Sequence, residues 1–233
     1  MRGSATRDLL HVYSPEGRAE QLYLCLPRTR RRRGTRHGRR PRGHRIPLER
    51  GIACRPADVA TQESFGHWEG DLLVFAKSAG NARVTTLVER RSRFLVLLPN
   101  PDRRPAGVAE RIQTALGGLA QDLRQTVTFD RGFEFMGYPA LDRGLAVTSY
   151  FCDPRSPWQK GAVENTNGRL RRYLPSDVPA ERLTAESLEA LANRFNATPR
   201  CCLGYRTPAE VFEGRLDPNP AKCDTAAAVS HLA

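Results

Sequence analysis

Five short apolar segments constrain the fold of this chain more than any other feature. Each is four to eight residues long and rich in Val, Leu, Thr or Phe, which is typical of buried β-strands. The segments are residues 68–75, 84–88, 94–98, 126–129 and 146–151. Only residues 89–93 separate the second segment from the third. These two segments therefore predict a hairpin, and the sheet is expected to begin with antiparallel strands.

Helical patterns follow the third segment and both later ones. Pro105 opens the first helix, a second short helix is expected around residues 135–141, and a third follows the last strand. The resulting order, βββαβαβα, favours an α/β fold, a mixed five-stranded sheet flanked by helices on both faces. Because short connections tend to place strands side by side, the strand that carries Asp71 should lie beside the strand that ends at Asp130.

The helix after the last strand carries a carboxylate among cations. Ser156, Pro157 and Gln159 predict its start, as an N-cap, a first-turn proline and a capping-box partner. One face of this helix would then present Lys160, Glu164, Asn167 and Arg171. Taken alone, Lys160 and Glu164 are equally consistent with an ion pair on a solvated surface.

Asp71, Asp130 and Glu164 are the candidate catalytic and metal-binding residues. Asp71 lies within an apolar strand, where carboxylates are seldom found without a function. The predicted topology lets all three acids converge at one edge of the sheet. Magnesium is usually held by one or two carboxylates, so three acids suffice for two Mg²⁺ ions, with Mn²⁺ as a possible substitute. Two such ions support in-line displacement at phosphorus, which indicates phosphodiester chemistry.

Several neighbours of these acids have other interpretations. Glu69 shares the alternation face of the first acid and is kept as a weaker alternative ligand. His67 and Trp68 are expected to be packing residues more often than active-site groups. Asp153 precedes a proline and is expected to order a turn. The six cysteines contain no C-x-x-C pair, which indicates reduced thiols and no zinc site.

The positive charge of the chain is concentrated near its N-terminus. The formal net charge is +12, and residues 27–46 contain ten arginines and no acid. Such a segment is expected to be an extended tether that binds the phosphates of double-stranded DNA without reading its bases. Its candidate phosphate contacts are Arg30, Arg31, Arg32, Arg33, Arg39 and Arg40. Further candidate DNA contacts in the folded part are Arg131, Lys160, Asn165 and Arg171.

Short motifs are spread along the folded part of the chain. They are Gly66-His67-Trp68-Glu69-Gly70-Asp71, Thr86-Leu87-Val88-Glu89-Arg90, Asp130-Arg131-Gly132, Phe151-Cys152-Asp153-Pro154, Ser156-Pro157-Trp158-Gln159, Glu164-Asn165-Thr166-Asn167-Gly168 and Leu203-Gly204-Tyr205-Arg206-Thr207-Pro208. Together they resemble the transposases of the insertion sequence thirty family, over roughly residues 9–214. The resemblance implies a ribonuclease-H-like integrase core that cuts and joins DNA, with Asp71, Asp130 and Glu164 as its catalytic triad. Such transposases normally carry a helix-turn-helix region before the basic stretch, so the resemblance also implies a truncated copy.

The expected function is metal-dependent nicking and strand transfer of an insertion sequence by a homo-oligomer on element-end and target DNA. A catalytically silent DNA-binding remnant and an RNA-cleaving hydrolase of the same fold remain open as alternatives. The expected domains are a helical remnant at 1–26, an Arg-rich linker at 27–60, the catalytic core at 61–214 and a disordered tail at 215–233. No apolar run approaches the length of about 20 residues needed to cross a bilayer, so we expect no membrane partner and a bacterial, cytoplasmic, DNA-associated location.

Overall fold

The structure is a computed structural model that describes residues 11–25, 46–76 and 80–216. It divides into two compact units, residues 1–43 and residues 44–233. The predicted tether, with its candidate contacts Arg30 to Arg33, Arg39 and Arg40, lies outside the described residues except at its last position. The predicted tail beyond residue 216 also lies outside them.

The described part of the first unit contains a short helix. Helix α1 (Pro15–Ala19) begins after Ser14, whose hydroxyl accepts a hydrogen bond of 3.1 Å from the Gly17 backbone N–H. A 3₁₀ turn, Leu22–Cys25, follows. A serine followed by a proline suits this helix start, as an N-cap and a first-turn residue.

The second unit is built on one five-stranded sheet. Its strands are β1 (His67–Val74), β2 (Arg83–Glu89), β3 (Leu95–Asn100), β4 (Thr126–Phe129) and β5 (Thr148–Phe151). Their order across the sheet is β3-β2-β1-β4-β5. The β1–β2 and β2–β3 pairs are antiparallel, and the β1–β4 and β4–β5 pairs are parallel. The predicted hairpin, the mixed sheet and the adjacency of the two aspartate-bearing strands are all confirmed.

Helices cover both faces of this sheet, as predicted. They are α2 (Ala57–Thr61), α3 (Pro105–Gly117), α4 (Tyr138–Leu145), α5 (Gly161–Leu170), α6 (Ala185–Asn196) and α7 (Pro208–Leu216). One core contains Trp68, Leu87, Ile112, Leu116, Leu141, Phe129 and Phe151, between the sheet and helices α3 and α4. The second core contains Leu73, Val88, Leu95, Val163, Leu170, Leu188 and Phe195, between the opposite face and helices α5 and α6.

Several element boundaries differ from the predicted ones. Strand β5 begins two residues late because Ala146 ends α4 in the left-handed conformation, with φ 52°. Helix α7 runs through Gly214 to Leu216. Its N-terminus is capped, since the Thr207 N–H donates to Glu210 at 2.7 Å and the Glu210 N–H donates back to the Thr207 hydroxyl at 3.1 Å.

Because side chains alternate along β1, the two faces of the strand pack into different cores. Trp68 and Leu72 enter the first core, whereas Leu73 enters the second, on the side of the sheet that α5 covers. Asp71 shares the face of Leu73 and so points toward α5. Gly70 lies on the first face, where an added Cβ would overlap the ring of Phe129 on β4. A glycine is therefore required for β1 and β4 to pack closely beside Asp71.

The segment before β1, which the sequence analysis assigned partly to the linker, is folded against β5. It forms the 3₁₀ turns Leu48–Arg50 and Ile52–Cys54 and then α2. Gly51 forms a parallel bridge with Phe151, and Arg50 forms an ion pair of 2.8 Å with Asp142. No helix within the described residues is long and apolar enough to cross a membrane.

Candidate active site

Asp71 and Asp130 are brought together by the parallel pairing of β1 and β4. The register pairs His67 with Thr126 and Glu69 with Thr128. Extending it by two residues places Asp71 opposite Asp130, just beyond the end of β4. The parallel pairing of β1 and β4 therefore brings the two predicted acids side by side.

A buried lysine lies between these two aspartates. The Lys160 ammonium is 3.1 Å from Oδ1 of Asp71 and 3.9 Å from Oδ2 of Asp130, and the residue is only 2% exposed. Burial opposes the charged form of Lys160, but the two carboxylates outweigh it and raise its pKa. The structure thus fills the space between Asp71 and Asp130 with a fixed positive charge.

This position of Lys160 differs from both interpretations of the sequence. Its ammonium pairs with Asp71 and Asp130 and not with Glu164, so the surface ion pair with Glu164 is wrong. The predicted role of Lys160 as a surface DNA contact also does not fit this conformation, because the ammonium is buried and already held by two carboxylates. Lys160 immediately precedes α5, and its ammonium reaches β1, where it also lies 3.5 Å from the Gly70 carbonyl.

Glu164 shares the electrostatic environment of the two aspartates. It lies in the first turn of α5 and is exposed. Partial burial raises the pKa of its carboxyl, the charges of Asp71 and Asp130 raise it further, and Lys160 acts in the opposite direction. Burial also raises the pKa of Asp130, with a smaller contribution from Asp71. The charge of Asp71 thus raises the pKa of both Asp130 and Glu164, as expected of carboxylates that lie near one another.

Helix α5 is fastened to β1 by two further polar side chains. Asn167 donates a hydrogen bond of 2.7 Å to Oδ2 of Asp71, so both oxygens of this carboxylate are engaged. Arg171 donates to the Val74 carbonyl at 2.9 Å, and its guanidinium lies 5.3 Å from the ring centroid of Phe75. The sequence grouped these residues around Glu164 as its partners. Asn167 instead positions Asp71, and Arg171, which was predicted to contact DNA, binds the β1 backbone.

The loop after β4 holds Asp130 in place. Its Oδ1 accepts a hydrogen bond of 2.9 Å from the Gly132 N–H. Arg131, an exposed candidate DNA contact, donates through Nε to the Cys152 carbonyl at 2.9 Å and so ties the end of β4 to the end of β5. Burial raises the pKa of the Cys152 thiol to about 11, which makes it an unreactive packing group. Asn165, the remaining candidate DNA contact, is exposed on α5.

The predicted start of α5, the helix after the last strand, is wrong. Residues Pro157–Lys160 form a 3₁₀ turn, α5 begins only at Gly161, and the Ser156 side chain caps nothing. The reason is a competing pair: the Gln159 amide accepts from the Asp153 N–H at 2.8 Å and donates to the Asp153 carboxylate at 3.0 Å. Asp153 thus orders this turn, as expected, and Gln159 is not available to complete a capping box.

The other neighbours of the acids have structural partners. Glu69 is 1% exposed, and its carboxylate pairs with Arg90 at 2.5 Å and accepts from the Val163 N–H at 2.9 Å, which leaves little capacity to bind a metal. Trp68 is fully buried and donates to the Leu123 carbonyl at 2.9 Å. His67 is buried too, with Nδ1 2.9 Å from the hydroxyl of a threonine on β4. His67 and Trp68 therefore pack in the core, as the sequence favoured.

The donor set at Asp71 and Asp130 suits a hard divalent cation in type and position. Carboxylate oxygens are the ligands that magnesium prefers. Two of them already face a common positive charge, the Lys160 ammonium, and Glu164 lies in the same field. Among the described residues, no group of three or more His, Cys, Asp or Glu side chains is close enough to hold a metal ion in this conformation. A bound ion would thus need Lys160 to withdraw and Glu164 to approach.

Comparison with solved structures shows which known fold this chain shares. A chain of the simian T-cell lymphotropic virus intasome, solved by cryo-EM in complex with the PP2A regulatory subunit B56 gamma, is similar in fold. The TM-score is 0.53 at 20% identity, over 67% of this chain and 58% of that one. The predicted ribonuclease-H-like fold of the integrase type is confirmed. No family model matches the chain.

Sequence comparison finds transposases that are similar to this chain. The transposase for insertion sequence element IS1086 of Cupriavidus metallidurans is 39% identical over 206 residues, 88% of this chain and 60% of that protein. Transposase InsI for element IS30C of Escherichia coli is 35% identical over 200 residues, 82% of this chain and 51% of that protein. The chain thus spans between half and three fifths of the length of these relatives. The chain is thus similar in sequence to transposases of the IS30 family.

Proposed function

We propose that this chain is the catalytic core of a transposase that nicks the ends of an insertion sequence and joins them to target DNA. The observation that carries the proposal is the pair of aspartates aligned by the β1–β4 register around one cation position. The charge of Glu164 is coupled to this pair. The relatives, named as transposases, support the same activity for the chain.

The catalytic role we assign to Asp71, Asp130 and Glu164 is to hold two divalent ions, with Mg²⁺ expected and Mn²⁺ a possible substitute. Bound divalent ions would activate the attacking oxygen and stabilise the leaving oxygen at phosphorus. Asn167 would orient Asp71 through its 2.7 Å hydrogen bond, and the Gly132 N–H would orient Asp130. These supports lie on helices, strands and a short turn, so they would fix the acids before the substrate arrives.

DNA is the substrate and partner that the charge of the chain favours. The arginines of residues 27–46 would hold backbone phosphates, and the exposed Arg131 and Asn165 lie close in sequence to the catalytic acids. Joining two element ends to one target requires more than one active site, so we propose that the chain acts as a homo-oligomer on DNA. Its place of action would be the bacterial cytoplasm.

A cutting assay on three substrates tests the proposal. The substrates are a duplex that carries the terminal sequence flanking the coding sequence, an unrelated duplex, and an RNA–DNA hybrid. With Mg²⁺, we expect nicks at the element end only, and none when EDTA replaces the metal. Asp130→Asn provides the matched control, because it keeps the size of the side chain but removes the charge that would hold the ion.

Two results would contradict the proposal. A chain that binds all duplexes but cuts none under any metal condition is a DNA-binding remnant. A chain that cuts only the strand containing RNA is a ribonuclease of the same fold. Full-length protein from a relative such as the IS1086 transposase serves as the positive control for the assay.

A further inference from the structure

A basic groove lies on the side of α5 opposite the candidate active site. Two cavities of about 400 Å³ and about 500 Å³ share Gln62, Arg93 and Cys202 in their walls and therefore form one continuous depression. We call it the arginine groove, because its walls contain Arg90, Arg91, Arg93, Arg169, Arg200 and Arg206. A neighbouring cavity that also contains Arg91 is lined by the acids Glu63 and Asp122, so the basic surface does not extend into it.

The arginine groove carries an excess of positive charge. Among the described residues, Glu69 is the only acid in its walls, and this carboxylate is buried and already bound to Arg90 and to the Val163 N–H. Within the described part of the chain, the Nε atoms of Arg90 and Arg200 are buried without a hydrogen-bond partner. Burial lowers the pKa of Arg200, and the nearby charge of Arg169 lowers it further. These guanidinium groups repel one another, so an anion between them would be stabilised.

The groove also contains an exposed aromatic side chain and neutral hydrogen-bonding groups. Trp158 is 74% exposed and lines the 400 Å³ cavity, together with Gln159, Asn165 and Thr166. Large exposed aromatic rings beside cations are typical of surfaces that bind single strands or distorted duplexes, where bases or sugars stack. A surface built only to hold a small inorganic anion does not require such a ring.

The arginine groove is joined to the candidate site by one short segment. Trp158, Gln159 and Gly161 line the groove, whereas Lys160, between them in sequence, reaches Asp71 and Asp130 on the other side. A nucleic acid strand held in the groove would thus contact the same four residues that carry the buried lysine.

We propose that the arginine groove binds the sugar–phosphate backbone of DNA beside the candidate active site, with Trp158 stacking on an unpaired base or on a sugar. Arginine is suited to this task because its planar fork can bind a phosphate through two nitrogens. The inference rests on the proposed function only in taking the polyanion to be DNA.

Salt-dependent binding of the full chain to a labelled duplex tests the proposal, in EDTA so that no cutting is involved. The groove variant is Arg169→Gln with Arg206→Gln, two side chains that are not buried in the core. The matched control is Arg143→Gln with Arg182→Gln, which removes the same charge from exposed positions on α4 and on the 3₁₀ turn Ala180–Arg182. If both groove arginines contact phosphates, the slope of log affinity against log salt should flatten by about 1.8, because each duplex phosphate contact contributes about 0.9. The control should change the slope much less.

Tryptophan fluorescence provides a second, local readout. The chain has two tryptophans, and Trp68 is fully buried, so a change on DNA binding reports Trp158. We expect saturating DNA to quench the emission, more strongly for a duplex with a single-stranded end, and Trp158→Phe to abolish the response.

Three results would overturn the inference: equal slopes for the groove and control variants, unchanged Trp158 emission in a saturated complex, or a polyglutamate peptide that occupies the groove when DNA does not. Failure of the proposed function is distinguishable, since a chain that never cuts DNA can still show the groove-dependent slope. A chain that cuts normally but shows equal slopes refutes the groove alone.

Discussion

Replacing Lys160 by methionine tests whether this side chain acts as the resident cation of the site. Methionine keeps the length and apolar stem of lysine but removes the ammonium that lies 3.1 Å from Asp71 and 3.9 Å from Asp130. Two neighbouring carboxylates would then face each other without a positive charge between them. We expect the metal-free protein to lose stability and to gain affinity for divalent ions.

The distances give the size of the expected loss. With an effective dielectric constant of about 20, the ammonium attracts Asp71 by about 5 kcal/mol and Asp130 by about 4 kcal/mol. Much of this offsets the cost of taking the ammonium out of water. Removing one partner of a buried pair destabilises a protein by about 3–5 kcal/mol, and the Asp130 side chain is 48% exposed, which reduces the loss. We therefore expect Lys160→Met to lower the free energy of unfolding in EDTA by about 3 kcal/mol.

Divalent ions should reverse this loss. An ion present at about 100 times its Kd stabilises the folded state by about 2.7 kcal/mol. In the unaltered chain, metal binding must also break the ion pairs of Lys160, which lowers the net stabilisation. In Lys160→Met there is no ammonium to displace. Titration with Mg²⁺ or Mn²⁺ should therefore raise the stability of the variant more than that of the unaltered chain.

Urea unfolding at several metal concentrations measures both effects. Arg172→Met is the matched control, because it removes one exposed positive charge just after α5. Equal stability of Lys160→Met and the unaltered chain in EDTA would refute the assignment of Lys160 as resident cation. An identical response of the two proteins to metal would refute the competition between Lys160 and the ion.

Three further perturbations follow from other parts of the structure. Glu89 is fully buried and its pKa is raised above the ordinary value of 4.5, mainly by burial, so the folded state binds more protons and loses stability as the pH rises through and above 4.5. Glu89→Gln should accordingly gain stability relative to the unaltered chain over that pH range, as measured by urea unfolding; a difference independent of pH would contradict this. Gly70→Ala would force a methyl group against the Phe129 ring and should lower stability by about 1–3 kcal/mol, whereas Gly168→Ala, with open space around it, should not. Deletion of residues 27–46 should weaken binding to two unrelated duplexes equally and, if half of its ten arginines contact phosphates, flatten the salt slope by about 4.5; an unchanged slope would show that the segment is a solvated linker.

The adjacency of Asp71 and Asp130 could be predicted because it depends on strand order. Apolar segments mark β1 and β4, and the connection rules place them side by side. Once these strands pair in parallel, the register leaves the two aspartates little freedom. Burial on both faces fixes that register, since a slip by one residue would turn Trp68 and Phe129 away from their core.

The position of Lys160 could not be predicted, because it depends on where α5 begins. The local signal of Ser156 and Gln159 favoured an earlier start, which would have placed Lys160 on the exposed face with Glu164. A side-chain pair between Gln159 and Asp153 took precedence and left Lys160 on a 3₁₀ turn. Competition between two satisfactory local hydrogen-bond patterns cannot be decided from residue types alone.

The arginine groove could not be predicted from the sequence, because its residues lie far apart in the chain. Its cations come from the β2–β3 turn, from α5 and from the segment before α7, which lie far apart in the chain. Each arginine taken alone is consistent with a solvated surface. Only the packing of α5 and the segment before α7 beside the sheet brings them together.

The central claim is that Asp71, Asp130 and Glu164 act as one metal-dependent site, and single-turnover nicking of element-end DNA measures this most directly. Asp71→Asn, Asp130→Asn and Glu164→Gln should each reduce nicking to the level of the EDTA control, while binding to the same DNA and the far-ultraviolet spectrum stay close to those of the unaltered chain. Glu186→Gln, on the exposed side of α6, should nick normally. Metal-dependent nicking that survives in any of the three variants would remove that residue from the site and contradict the account.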